Sequence, residues 1–243
     1  GRHFCQNDSH IFVTPDQIEE EFAGVVKLIF DTYKDFGITD YRCVLSLRDP
    51  EDKVKYHDDD EMWNTAENAL RKVLDDLGID YTEEIGEAAF YGPKIDFHLT
   101  DSIGRTWQCG TIQLDYQLPD RFNLEYTGSD GEKHTPVMIH RVVFGSIERF
   151  IGVITEHFAG AFPIWLAPVQ VKLLPIADRH HDYAFEIAKK LEAKGIRCEV
   201  DTRSEKTGYK IREAQLQKIP YMLLMGDKDI EGNCVSVRKR GEG

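Results

Sequence analysis

Two histidines and a series of amides and carboxylates lie in stretches of this sequence that alternate like β-strands. The stretch 4–12 would place four polar or aromatic side chains on one face of a strand: Phe4, Gln6, Asp8 and His10. His140 lies in a second such stretch, 136–143. Imidazoles in polar surroundings are candidate zinc ligands, but a catalytic zinc commonly takes three protein ligands. A structural role for either histidine remains the alternative, and a third ligand has to come from elsewhere.

A candidate phosphate site lies at the start of a predicted helix, where Arg149 follows Gly145 and Ser146. A helix N-terminus favours anions, and a guanidinium adds a forked donor for phosphate oxygens. The local sequence fits a surface arginine beside Glu148 equally well. Lys94 could also reach a phosphate, although a solvated charge on a strand is the simpler interpretation.

Polar residues also interrupt the predicted strand 105–116, which should be buried. Gln108 and Gln113 are five positions apart, so a regular strand would place them on opposite faces. A bulge at Gly110 would bring both amides to one site. Buried amides need partners, and either a ligand or a structural network could supply them.

The elements that must position these residues predict an α+β domain over residues 1–162. Thr14 and Pro15 begin a helix that Gly37 ends, and an antiparallel sheet flanked by helices follows from short loops between strands. The predicted strands are 4–12, 41–47, 86–91, 93–100, 105–116 and 136–143, and two further helices cover about 62–77 and 145–158.

Prolines and a change in charge balance place a domain break at 160–168. Residues 168–243 then alternate as a small α/β domain with a largely parallel sheet. The predicted strands there are 169–175, 196–201, 220–225 and 230–238, and the predicted helices are 179–194 and 207–217.

Composition limits the class of protein and its partners. The net charge is −13, yet residues 168–243 hold 15 Lys and Arg against 12 Asp and Glu, so attraction to nucleic acid should concentrate there. No run of 18 apolar residues is present, which excludes a membrane-spanning helix, and the first residues lack a signal-peptide layout. Five scattered cysteines indicate a reducing cytoplasm.

Several segments together resemble the threonine-specific family of class II aminoacyl-tRNA synthetases. The segments are FCQNDSHIF (4–12), AFYGPKIDF (89–97), WQCGTIQLDYQLP (107–119), VMIHRVVFGSIERFIGVITEHF (137–158), WLAPVQV (165–171) and residues 202–231. The resemblance implies a catalytic domain followed by an anticodon-binding domain. It also implies activation of L-threonine with ATP and Mg²⁺, ligation to tRNA(Thr), and a homodimer in the full-length protein.

The resemblance further implies roles for individual residues. Arg149 and Lys94 would be catalytic, and the ATP-binding residues would be Phe4, Lys94, Gln108, Thr111, Ser146 and Arg149. The threonine-binding residues would be Gln6, Asp8, Tyr91 and Gln113. His10 and His140 would bind Zn²⁺, with a cysteine expected upstream of this chain. Ser204, Asp229 and Arg238 would contact the anticodon, near the basic residues Arg203, Lys206, Lys210 and Arg212.

The family's first motif, the arginine of its second motif and its editing domain are also expected upstream, and its last helix downstream. A synthetase-like paralogue or fragment that binds tRNA or protein without catalysis is therefore the alternative. A zinc hydrolase is disfavoured because no HExxH-like pair accompanies the histidines.

Overall fold

The computed structural model describes residues 2–56 and 58–242. The chain forms two compact units, one ending at residue 154 and the other beginning at residue 155. This division lies within the helix before the predicted break at 160–168, and the break itself stays a prediction. Among the described residues, every helix is too short or too polar to cross a bilayer.

Strands and helices alternate irregularly among the elements that begin in the first unit. They are β1 (Ser9–Val13), α1 (Ile18–Asp35), β2 (Tyr41–Leu47), α2 (Asp60–Asp76), β3 (Tyr81–Ile85), β4 (Lys94–Thr100), β5 (Thr106–Asp115), α3 (Gln117–Arg121), β6 (Tyr126–Thr127), β7 (Lys133–His134), β8 (Val137–Val142) and α4 (Ile147–His157).

Six of these strands form one sheet in the order β1-β8-β5-β4-β2-β3. Every neighbouring pair is antiparallel except β2 with β3, which run parallel. The predicted antiparallel sheet flanked by helices is thus confirmed, with one parallel edge. The hairpin β6–β7 is separate from it.

The two faces of this sheet differ in polarity because strand side chains alternate. On β4, Ile95 and Phe97 are fully buried, and Phe30 of α1 packs edge-on against Phe97 with ring centroids 5.6 Å apart. Lys94 and Asp96 therefore lie on the opposite face. The apolar face packs on α1, which leaves a polar face for chemistry.

The start of α1 follows the sequence prediction closely. The Thr14 N–H donates to Gln17 Oε1 at 3.0 Å, and a single 3₁₀ turn over Pro15–Gln17 leads into the helix. Phe22, Val26 and Tyr33 are fully buried on one side of α1. The helix has ended by Gly37, which takes a left-handed φ of 66°.

Two strand predictions in this unit were wrong. The predicted strand 86–91 is a turn beginning at Gly86, with φ 87°, and the strand lies earlier as β3. Because β3 is a polar edge strand with β2 as its partner, it shows no apolar alternation. The predicted strand 4–12 begins only at Ser9, since the preceding residues follow the start of α4: the Ile147 N–H donates to Cys5 O at 2.8 Å.

The second unit is a small α/β fold. It contains β9 (Val171–Pro175), α5 (His181–Glu192), β10 (Cys198–Val200), α6 (Thr207–Leu216), β11 (Tyr221–Met225), α7 (Asp227–Glu231) and β12 (Ser236–Lys239). The sheet order is β10-β9-β11-β12, and only β12 is antiparallel to its neighbour. The largely parallel sheet is confirmed, but the predicted strand 230–238 was wrong because its first residues complete α7.

Helices cover both faces of this second sheet. Leu173 and Leu223 pack with Ala184 of α5, whereas Leu174 and Met222 pack with α6. This arrangement places β9 in the middle of a three-layer core. The loops that follow β9 and β10 lie at the same end of the sheet, because these two strands run parallel.

Candidate active site

One row of directly paired residues crosses five strands on the polar face of the first sheet. His10 pairs with His140, His140 with Gln113, Gln113 with Lys94, and Lys94 with Ser46. Adjacent strands lie about 4.8 Å apart, so His140 and Lys94 are separated by roughly 10 Å. The row aligns candidate metal, amino-acid and phosphate ligands although they come from distant parts of the sequence.

A bulge in β5 brings the two glutamines together. Gly110 pairs with Phe97 but Gln108 pairs with His98, so Cys109 is the extra residue, directly before the predicted position. The alternation therefore shifts, and Gln108 shares the polar face with Gln113. The hydroxyl of Tyr33 supports this segment from the apolar face, because it accepts from the Gly110 N–H at 3.0 Å and donates to Val143 O at 3.1 Å.

Asp96 is the centre of the polar network at the Lys94 end of the row. Only 2% of Asp96 is exposed, and its carboxylate accepts hydrogen bonds from four side chains. The donors are Ser46 Oγ at 2.9 Å, Gln108 Nε2 at 2.6 Å, Thr111 Oγ1 at 2.9 Å and Lys94 Nζ. The three residues that the resemblance assigns to ATP on β4 and β5 are thus held by one buried carboxylate.

Tyr91 reaches the same face from the turn before β4. Its hydroxyl donates to Gln113 Oε1, and burial together with the nearby Asp115 and Asp8 carboxylates raises the pKa of Tyr91 to about 12. A Cβ on Gly92 would lie 1.9 Å from Leu114 O, so only glycine allows this turn to approach β5 so closely. Tyr91 therefore stays a protonated donor beside Gln113.

The histidine end of the row forms a cluster with Asp8. One potential ligand atom from each of Asp8, His10 and His140 lies within 4.8 Å of the others. The ring centroids of His10 and His140 are 4.6 Å apart, and His140 Nε2 lies 2.8 Å from Asp115 Oδ2. Cys5 is exposed and outside this cluster.

Arg149 lies at the start of α4 and turns towards the β5 bulge. Its Nη2 donates to Gln108 O, and a Cβ on Gly145 would lie 2.7 Å from that nitrogen. Ser146 Oγ accepts from the Arg149 N–H at 3.4 Å, and the backbones of Gln6 and Ser146 form an isolated antiparallel β-bridge. Phe4 is 58% exposed. The predicted ATP residues of the two regions are therefore joined through Gln108.

Sequence reasoning missed two carboxylates that organise this face, Asp96 and Asp115. Each lies two positions after an assigned residue on the same strand, Lys94 and Gln113, and so shares its face. That parity, together with a charge at a position where the strand should be buried, is the signal that could have found them.

The predicted anticodon residues occupy different parts of the second unit. Asp229 in α7 accepts from the Gly226 N–H at 2.9 Å and from Ser236 Oγ at 2.8 Å. This brings it to β12, two residues before Arg238, which pairs with Met222. Ser204 is exposed in the loop between β10 and α6. Within the described ranges, no hydrogen bond joins any two of these three residues.

Two of the basic residues near Ser204 are less available to bind RNA than the sequence suggested, because they are paired within the protein. Lys210 is only 3% exposed, and its ammonium donates to Asp201 O at 3.0 Å and Pro175 O at 3.3 Å. Arg203 forms two hydrogen bonds with the Asp201 carboxylate, at 2.9 and 2.7 Å, which lower the pKa of that carboxyl. Lys210 is thus a structural cation rather than a surface one.

Comparison with known proteins defines the class. Residues 1–158 match the tRNA synthetase class II core domain (G, H, P, S and T), and residues 170–243 match the anticodon-binding domain. The chain therefore belongs to the class II aminoacyl-tRNA synthetases.

The relatives that the chain matches are threonine–tRNA ligases. The chain is 63% identical to the threonine–tRNA ligase of Acetivibrio thermocellus and 62% identical to that of Desulforamulus reducens, each over 242 residues. It spans 37% of the length of these relatives. The crystal structure of the RNA binding domain of threonyl-tRNA synthetase from Cryptosporidium parvum Iowa II has a TM-score of 0.90 at 40% identity, covering 98% of this chain and 59% of that one. The resemblance found in the sequence is confirmed.

Proposed function

We propose that this chain forms the amino-acid-activating and anticodon-reading part of a threonine–tRNA ligase. In the first step, a carboxylate oxygen of threonine attacks the α-phosphorus of ATP and pyrophosphate leaves. In the second, a hydroxyl at the 3′ end of tRNA(Thr) attacks the threonyl carbonyl and AMP leaves. The observation that carries the proposal is the cross-strand row from His10 through His140 and Gln113 to Lys94.

The nucleotide would lie along the Lys94 end of the row. Lys94 and Arg149 are the cations that would neutralise phosphate charge, and Gln108, which is hydrogen bonded to the Asp96 carboxylate and to the Arg149 guanidinium, lies between them. Thr111 and Ser146 offer hydroxyls at the same end. The exposed ring of Phe4 is available to stack on adenine, and Mg²⁺ would enter with ATP.

Threonine would bind beside the histidines, where Gln6, Asp8, Tyr91 and Gln113 offer polar groups for its ammonium and hydroxyl. An apolar pocket separates threonine from near-isosteric valine by only about 10²-fold, so selection needs polar contacts to the hydroxyl. Serine keeps that hydroxyl, and this pocket alone would therefore not reject it.

The Asp8, His10 and His140 cluster fits a zinc ion. Two imidazoles and a carboxylate converge within 4.8 Å, and His140 already engages a buried carboxylate through one ring nitrogen, as metal-binding histidines usually do. His10 and His140 would hold the metal, with a cysteine from the rest of the protein as third ligand. A bound zinc with an open position would supply Lewis acidity for the amino and hydroxyl groups of threonine.

The second unit would recognise the anticodon of tRNA(Thr) through Ser204, Asp229 and Arg238. The excess of Lys and Arg over Asp and Glu in residues 168–243 supports this role, because neutralisation of phosphate charge dominates affinity for nucleic acids. We further infer a homodimer in the full-length protein and a cytoplasmic location. All five cysteines are free, in keeping with a reducing compartment.

The test is ATP–pyrophosphate exchange with the full-length protein that contains this chain. We expect exchange that depends on threonine, weaker exchange with serine, and little with valine. Binding of tRNA(Thr) without exchange for any amino acid would instead support a non-catalytic tRNA-binding paralogue.

A further inference from the structure

Asp115 is fully buried at the end of β5 and uses both carboxylate oxygens. Oδ1 accepts hydrogen bonds from the backbone N–H groups of Gln117 and Leu118, the first two residues of α3, each at 2.9 Å. Oδ2 lies 2.8 Å from His140 Nε2. One carboxylate thus joins the start of a helix to a histidine of the candidate metal cluster.

This contact determines which nitrogen of a neutral His140 ring carries the hydrogen. A carboxylate can only accept, so the hydrogen of a neutral imidazole must sit on Nε2. The lone pair then belongs to Nδ1, which is the one ring nitrogen able to bind a cation. The ring of Tyr91 packs on the ring of His140, with centroids 5.3 Å apart, and restricts its rotation.

We propose that Asp115 is the positioning residue for His140: it holds the tautomer that presents Nδ1 to a divalent metal shared with His10, and it ties that geometry to the start of α3. The inference rests on the proposed metal site. Carboxylate partners of metal-binding histidines typically change metal affinity 10- to 100-fold.

Asp115→Asn separates the two tasks of the side chain. The amide oxygen can still accept from the Gln117 and Leu118 N–H groups, so the helix start is retained. The amide nitrogen then faces His140 Nε2 as a donor, which drives the ring hydrogen to Nδ1 and removes the lone pair from the metal side. We expect Zn²⁺ affinity to fall about 10- to 100-fold.

Asp101→Asn is the matched control. Asp101 is also a buried carboxylate with one oxygen accepting two backbone N–H groups, those of Ile103 and Arg105, and in the described part of the chain its other oxygen accepts from Arg105 and Trp107 rather than from a histidine. Its variant should therefore bind Zn²⁺ as the parent protein does. His140→Ala supplies the reference for loss of a ligand.

The measurements use the full-length protein, with Zn²⁺ affinity determined by competition with a chromogenic chelator. Nitrogen-15 NMR of the metal-free protein reports the His140 tautomer. If Asp115 had only a structural role, Asp115→Asn would leave this tautomer unchanged. We expect Nε2–H in the parent and Nδ1–H in Asp115→Asn. Parent protein with Nδ1–H overturns the inference even if the variant does not fold.

Two failures are distinguishable. If the parent protein binds no Zn²⁺, or binds Zn²⁺ that His140→Ala does not remove, the metal part of the proposed function is wrong. The inference about Asp115 is then wrong as well. If the parent binds Zn²⁺ and Asp115→Asn binds it equally well, only the positioning role is wrong.

Discussion

His10 and His140 are direct partners in the antiparallel pairing of β1 with β8, and their ring planes lie at 74° to each other. Sheet formation alone brings them together, because they are far apart in sequence. The same pairing continues through Gln113 to Lys94. The register of the sheet therefore determines which chemical groups can meet.

Replacing either His10 or His140 by Ala should remove most of the zinc from the full-length protein. Each imidazole would supply one of few ligands, and an incomplete set holds zinc poorly. Elemental analysis after gel filtration measures this. His134→Ala, on the exposed hairpin β6–β7, should keep its metal. Stoichiometric zinc in the double His10→Ala, His140→Ala protein would refute the role.

Arg149→Ala should reduce threonine-dependent pyrophosphate exchange by about 10²-fold or more, as loss of a transition-state charge stabiliser does. The fold should persist, because α4 and its packing do not depend on the guanidinium. Lys27→Ala, which removes a cation from the exposed side of α1, should leave exchange unchanged. Equal exchange rates for Arg149→Ala and the parent would show that this arginine does not face phosphate.

Asp96→Ala should destabilise the first unit by about 3–5 kcal/mol, since it leaves the largely buried Lys94 ammonium without its carboxylate. Urea unfolding measures the loss. Asp40→Ala, an exposed position, should change stability by about 0.5 kcal/mol or less. A loss below about 1 kcal/mol for Asp96→Ala would mean that solvent, not this carboxylate, balances Lys94.

Arg238→Ala should weaken charging of tRNA by about 1–3 kcal/mol, the range of one good base contact, while amino-acid activation stays normal. Lys239→Ala is the matched control, because the adjacent residue points to the other face of β12 and pairs with Glu242. If activation falls as much as charging in Arg238→Ala, the residue is structural.

Asp227→Asn should make the stability of the second unit less sensitive to acid. Hydrogen bonds from Arg179 and His180 lower the pKa of Asp227 below its usual value of about 3.9. The carboxylate therefore stabilises the fold above about pH 4 and loses that effect as pH falls further.

Thermal unfolding as a function of pH checks this prediction. The variant should be less stable than the parent at pH 7, and its uptake of protons on acid unfolding should be smaller by up to about one proton. Asp182→Asn, exposed on α5, serves as the control. Parallel pH curves for Asp227→Asn and the parent would contradict the role of this carboxylate.

Sequence patterns predicted most of the elements but not every boundary. The apolar spacing of α1 and the alternation of β4 were sufficient because both elements bury one face. In contrast, β3 is a polar edge strand whose place depends on pairing with β2, which no local pattern reports. Residues 230–231 belong to α7 because Asp229 caps that helix through the Gly226 N–H.

Sequence patterns predicted which residues belong to the candidate site better than they predicted which of those residues contact one another. The spacing of Gln108 and Gln113 predicted a bulge, and the structure contains one. The roles of Asp96 and Asp115 depend on which strands become neighbours, since their partners Ser46 and His140 lie on β2 and β8. Local periodicity can therefore place the two aspartates on the polar face, but it cannot show which residues they contact.

The bulge at Cys109 also has a consequence for protein engineering. Deleting Cys109 would put Gln108 and Gln113 four positions apart, so a regular strand would keep both amides on the polar face and only the bulge would be lost. Insertions in the turn between β4 and β5, by comparison, would leave the alternation of side chains in both strands unchanged. Whether the spacing from Gln108 to Gln113 is odd or even therefore determines whether β5 needs a bulge, and a one-residue deletion at Cys109 tests whether the bulge itself has a role.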